Sequence, residues 1–299
     1  MLSTCFFHFR LICNILQIKL FDSQILGRTL FCKPDIDKMP FMALVEHSFF
    51  NGLLEFGLLT LVIYAASLAV LFVTGSVISK LNARHPDRKI QQRQPSIREI
   101  DDIKSSVRQL VVTSLCLSFG LYSQYKGWVL VETVELSWWS FPLFFLISVM
   151  LHDTWFYWGH RLLHTKIFYR FHSPHHRSVT PTVWSNDAGH AVDTFFAHSY
   201  YALIVFILPI PALALLAHRL FDQVSAAIGH CGYEHFAGFT ARKPWPLLCT
   251  VFHDQHHQYF LYNYGNYLSV WDRLMGTVHP GYDSRVKEFE SIYADNNGG

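Results

Sequence analysis

The stretch HDTWFYWGHRLLHTKIFYRFHSPHH, residues 152–176, sets His160, His164, His172, His175 and His176 within seventeen positions, and HDQHH at 253–257 repeats its ending with His253, His256 and His257. A lone histidine on an apolar surface is ordinarily a satisfied core residue. A dense cluster is different, because imidazole is the commonest protein metal ligand. His160 and His164 are four residues apart, so both rings share one helix face, as in other metal-binding helices. His190, His230 and His235 lie between the two blocks. One ion takes four to six ligands, so eight to eleven imidazoles imply two ions, whereas a closed structural zinc site needs only four. Imidazole alone leaves zinc, iron and copper open. The Glu-x-x-His pattern of carboxylate-bridged bundles does not occur in the sequence. Asp153, Asp193, Glu234 and Asp254 stand beside the histidines, where acceptors for imidazole N–H groups are expected. His152 is expected to face the site or to cap its helix. Asp272 and Arg273 in VWDRLMG read as a structural pair.

The elements that must position these residues read as membrane helices. The chain is 51% hydrophobic and 16% aromatic but only 15% charged, against about 25% charged in soluble proteins. A net charge of +2 gives no reason to expect nucleic acid as a partner. Six scattered cysteines without a CxxC pair indicate neither a disulfide framework nor a thiolate metal site. Residues 53–79 carry one charge, Glu55, and form the clearest span. Residues 80–108 hold eight Lys and Arg against four acids, a basic loop expected on the cytoplasmic side. A weaker span follows at 110–125, then a short turn at 126–137. A third span opens at the interfacial pair Trp138 and Trp139 and delivers the histidine block to the cytoplasmic face. For HDQHH to join that block, residues 191–229 must leave and return. Pro209 and Pro211 divide them into two legs of about nineteen residues, a helical hairpin that either spans or is re-entrant and packed against protein.

The expected fold is therefore an all-α integral membrane protein of about four transmembrane helices, a hairpin included, with a cytoplasmic histidine-rich di-metal cap. Its expected organisation is a poorly ordered or targeting extension at 1–38, a membrane anchor and basic loop at 39–109, a catalytic domain at 110–284 and a polar tail at 285–299.

HRLLH, HSPHH and HDQHH resemble the HxxxH, HxxHH and HxxHH boxes of the sterol desaturase and fatty acid hydroxylase superfamily, membrane-bound non-haem di-iron oxygenases. The seven residues between His164 and His172 are similar to its spacing, TPTVWSNDAGHAVD is similar to its TP...HPxD/E segment, and HHQYFLYNYGNYLSVWDRLMGT resembles the ending of sterol C5-desaturases and C4-methylsterol oxidases. The resemblance covers roughly residues 98–282. It implies metal-ligand roles for His160, His164, His172, His175, His176, His253, His256 and His257, and further ones for His190 and His230. Ala191 stands where relatives often have proline, and His235 has a counterpart only in some fatty acid hydroxylases. The implied cofactor is two iron ions with O2 as co-substrate. The implied activity is hydroxylation or desaturation of a sterol or sterol-like membrane lipid, with electrons from an external cytochrome b5 or ferredoxin. The implied location is the endoplasmic reticulum membrane in a eukaryote or the inner membrane in a bacterium. A fatty acyl or ceramide hydroxylase is the alternative within the superfamily. A non-redox metal-binding or transport protein is the alternative outside it, disfavoured because transporters place such residues near the midplane of their spans.

Overall fold

A computed structural model of the protein describes residues 41–92 and 98–297, with side chains at 50–92 and 98–292; the expectation for residues 1–38 lies outside them. The described residues are helical, and their only β pairing is two isolated bridges, Lys89 with Tyr233 and Leu247 with Leu268. The helices are α1 Phe41–Arg84, α2 Glu99–Lys126, α3 Ser140–Leu163, α4 Tyr169–His172, α5 Ala191–Leu203, α6 Ala212–Gly229, α7 Thr250–Tyr259, α8 Val270–Met275 and α9 Tyr282–Asn297.

Within α1, Phe50–Arg84 is, among the described residues, the one helix long and apolar enough to cross a membrane by length and composition. Its outer face leaves Leu54, Leu61, Val73 and Val77 more than half exposed, an apolar surface of the kind that lipid covers. The other flank packs on α2, where Lys126 pairs with Glu55 at 2.6 Å and Tyr122 donates to the same carboxylate.

The structure gives the physical reason that residues 110–125 look weak as a span. Ser106, Thr113, Ser114, Ser118, Gly120 and Ser123 form a buried, small and polar stripe, which lets helix backbones approach closely. A Cβ at Gly120 would overlap the backbone carbonyl oxygen of Tyr201 on α5. The basic segment 80–108 is not all loop: α1 runs to Arg84, and α2 begins at Glu99, where Glu99, Asp101 and Asp102 complement the helix N-terminus.

Pro209 and Pro211 do separate two antiparallel legs. With 13 and 18 residues they are about 20 and 27 Å long at 1.5 Å per residue; the second matches the reading of about nineteen residues and the first is shorter. One core joins Leu117 and Leu121 of α2, Tyr201 of α5, Val205 and Ile210 of the turn, and Leu215 of α6. A second lies under α7, where Val251 and Phe252 pack on Tyr282, Val286 and Phe289 of α9. That contact turns the other face of α7, with its histidines, inward.

Candidate metal centre

Nine buried or half-buried histidines converge in two adjacent groups. One is His160, His164, His172, His176 and His256; the other is His175, His230, His253 and His257. Within each, the ligating atoms all lie within 4.8 Å of one another. The three boxes are not three sites. α3 gives both its histidines to the first group, but HSPHH is divided, with His172 and His176 in the first and His175 in the second. HDQHH is divided likewise, with His253 and His257 in the second group and His256 in the first. The groups abut: the His176 ring lies 4.9 Å from His257 and 5.6 Å from His175, centroid to centroid.

The Nδ1–H groups are held from behind. His160 donates to the Tyr264 carbonyl at 2.9 Å, His175 to Ala188 at 2.9 Å, His230 to Ala226 at 2.8 Å, His256 to Tyr262 at 2.6 Å and His257 to Ser178 at 3.0 Å. His172 donates to the Asp193 carboxylate at 3.0 Å. Each such bond fixes the tautomer and leaves Nε2 as a bare acceptor. The Nε2 atoms face one another, at 3.1 Å for His160 with His172, His164 with His176, and His176 with His256, and in the first of these pairs both are acceptors of this kind. In the second group the separations are 3.2 Å for His175 with His230, 2.9 Å for His230 with His253 and 3.1 Å for His253 with His257.

Acceptors facing acceptors in a dry interior repel unless a cation lies between them. Two nitrogens each about 2.0–2.1 Å from one ion stand roughly 3.0–3.4 Å apart, so the observed spacing fits metal in both groups. Burial, reinforced by neighbouring imidazoles, pushes His164 down to about 3 and His175 down to about 4. These rings therefore stay neutral, the form that binds metal.

A loop supplies much of the orientation. Asn263 adopts a left-handed conformation at φ 61°, and its side chain donates to the Phe252 carbonyl at 2.9 Å, tying the loop to α7. The fully buried Asp272 carboxylate accepts from Tyr264 N–H at 2.8 Å, Gly265 N–H at 2.7 Å and Thr277 O–H at 2.7 Å. The YNYG turn is thereby fixed, and with it the Tyr262 and Tyr264 carbonyls that aim His256 and His160.

Several sequence expectations need correction. Of the four acids, only Asp193 accepts an imidazole N–H. Asp153 takes the backbone N–H groups of Tyr267 and Leu268, Glu234 those of Phe236 and Val251, and Asp254 the amide of Gln91. Asp272 does not pair with Arg273, which reaches Asp283 at 2.9 Å. His190 is outside both groups: it caps α5, with Nδ1 accepting from Val192 N–H, and lies against Phe171. His235 is also outside, between Asn82 and Arg88. His152 is buried on Tyr267 at 2.9 Å and borders the site without joining a group.

Sequence reasoning missed a cavity of about 100 Å³ that runs from His172, His175, His230 and His253 to Arg219 and Asp222 on α6. The only sequence signal was the charge placed in an apolar leg. A smaller apolar cleft between α3 and α5, bordered by Phe156, Gly159 and Phe196, also reaches His160 and His172.

Comparison with known proteins agrees with this chemistry. Residues 145–277 match the model of the fatty acid hydroxylase family. A probable Delta(7)-sterol 5(6)-desaturase of Neurospora crassa is 30% identical over 250 residues, covering 81% of this chain and 67% of the relative. A Delta(7)-sterol 5(6)-desaturase of Aspergillus fumigatus is 29% identical, over 77% of this chain and 62% of the relative. Human lathosterol oxidase is 32% identical over 42% of this chain and 41% of the relative. The chain thus spans about two thirds of the first two and less than half of the third. No solved structure matches it significantly.

Proposed function

The chain belongs to the sterol desaturase and fatty acid hydroxylase superfamily, and from that premise we propose that it is a membrane-bound di-iron oxidoreductase acting on a sterol. The observation that carries this reading is the pair of adjacent all-imidazole groups. Two sites whose rings are already oriented, set beside a cavity, suit oxygen chemistry better than a closed structural site. When bound, the two irons supply the oxygen activation needed to break an unactivated C–H bond.

The protein's residues do the positioning. His160, His164, His172, His176 and His256 hold one iron, and His175, His230, His253 and His257 hold the other. Asp193 and the backbone carbonyls fix the rings, which reduces reorganisation on metal binding. The lipid reaches His160 and His172 from the cleft between α3 and α5, whose apolar lining excludes water. The catalytic unit is residues 110–284 together with the following turns of α9, because Val286 and Phe289, in what read as a polar tail, are buried against α7. α1, α2 and α3 cross the membrane, and the α5–α6 hairpin enters it packed on protein. The histidines face the cytoplasm, where a cytochrome b5 or ferredoxin type donor supplies electrons. The names of the relatives favour a sterol over an acyl chain.

The purified protein should contain about two irons per chain and consume a Δ7-sterol only with O2 and a reductant. Iron-loaded protein that leaves the sterol unchanged under those conditions would overturn the substrate; absence of iron would overturn the centre.

A further inference from the structure

The part of the cavity bounded by Arg219 and Asp222, with His152 and His198 beside the carboxylate, is polar where an apolar lipid would need nothing polar. Arg219 is 4% exposed on a leg read as entering the membrane, and a buried charge there is costly unless it is used. Its Nη1 donates to Asp222 at 3.0 Å, but Nε and Nη2 are buried without a hydrogen-bond partner among the described residues. Asp222 is already engaged, since Tyr267 O–H donates to it at 2.6 Å and the Asn266 amide at 3.3 Å. Asp187 lines the same cavity and supplies a further acceptor.

We propose that Arg219, with Asp187 facing the same cavity, is the docking point for an uncharged hydroxyl group of the substrate. Two donor nitrogens without a partner call for an acceptor oxygen. Asp222 already balances the guanidinium charge and Asp187 adds a second carboxyl, so a carboxylate or phosphate would bring excess negative charge into a buried site. A hydroxyl can accept from Arg219 and donate to Asp187 together. Pockets that enclose a drug-sized ligand measure roughly 300–1,000 Å³, so a cavity of about 100 Å³ takes one end of a lipid. Holding the oxygen at Arg219 presents the neighbouring ring carbons to His172, His175, His230 and His253. The inference rests on the sterol reading and names which end of that molecule enters.

The test measures both binding and turnover with iron-loaded protein in lipid nanodiscs, comparing a Δ7-sterol with its 3-deoxy analogue. Losing a hydrogen bond to a charged group costs about a factor of ten or more, so the wild type should bind the 3-deoxy compound at least tenfold more weakly. Arg219→Gln should bind the two alike while keeping its iron. Equal binding of the two compounds by the wild type overturns the inference without using any variant. So does an Arg219→Gln protein that keeps the full wild-type preference with unchanged affinity. A hydroxyl preference in binding with no oxygen-dependent product supports the docking point and overturns the proposed reaction.

Discussion

Replacing Asp272 by asparagine tests whether the C-terminal turn governs the metal centre. The carboxylate accepts from two backbone N–H groups and one hydroxyl, at 2.7–2.8 Å, and is fully buried. Asparagine has the same shape but only one acceptor oxygen. If that oxygen serves Tyr264 and Thr277, its NH2 must face the Gly265 N–H, donor against donor. One bond to a charged group, at about 1.5–3 kcal/mol, is lost, and an unsatisfied buried N–H adds to it, so a cost of roughly 2–4 kcal/mol is expected. The disturbance reaches the Tyr262 and Tyr264 carbonyls that hold His256 and His160. Loss of such outer support costs about 10–100-fold in metal affinity. The assay is thermal unfolding of the detergent-solubilised protein together with iron retention during a chelator challenge. Arg273→Ala is the control one residue away, because it removes the pair with Asp283 and a donation to Ser269 Oγ but touches neither tyrosine carbonyl, and it should cost about 1–2 kcal/mol, with iron unchanged. If the two variants melt and retain iron alike, the link from Asp272 to the metal centre is refuted.

Further outcomes follow from other parts of the site. Asp193→Asn should lower iron affinity about 10–100-fold, measured by the same chelator challenge, because His172 loses its anionic partner. His256→Ala and His230→Ala should each reduce iron content, while His190→Ala should retain it, as metal analysis of the purified variants would show. His164 and His175 are held at about 3 and about 4, below the ordinary 6.5 or so. The unfolded chain therefore takes up more protons between these values, and stability present above about pH 6.5 is lost as pH falls toward 3. A pH series of apo-protein melts should show that slope, and a flat profile would contradict it. Gly120→Ala should destabilise the fold by about 1–3 kcal/mol, read as a lower melting temperature, since the new methyl meets the Tyr201 carbonyl.

The histidine boxes were legible because their information is local: spacings of three and four residues state which rings share a helix face. The division of HSPHH and HDQHH between two groups was not legible, since it depends on how α7 is rotated against α9 through Phe252 and Tyr282. The supports of the rings were misread for a related reason. A carboxylate is visible in a sequence, whereas the carbonyls of Tyr264, Ala188, Ala226, Tyr262 and Ser178 belong to a group every residue carries. The hairpin was legible from Pro209 and Pro211, and α2 was weak because its stripe of serine and threonine serves close packing rather than apolarity. Arg219 and Asp222 stand out in the sequence as charges in an apolar leg, but the partner of Asp222, Tyr267, lies 45 residues further on.

The division of the two HxxHH boxes has a consequence for biogenesis. The first group draws on residues from His160 to His256 and the second on residues from His175 to His257. Neither group is complete until the same short helix has been synthesised, and that helix follows the hairpin. A half-made chain therefore offers no finished pocket to sequester stray metal. Because α4 with its following turn and α7 each serve both groups, an ion seated in one would preorganise part of the other, and loading of the proposed centre would be cooperative.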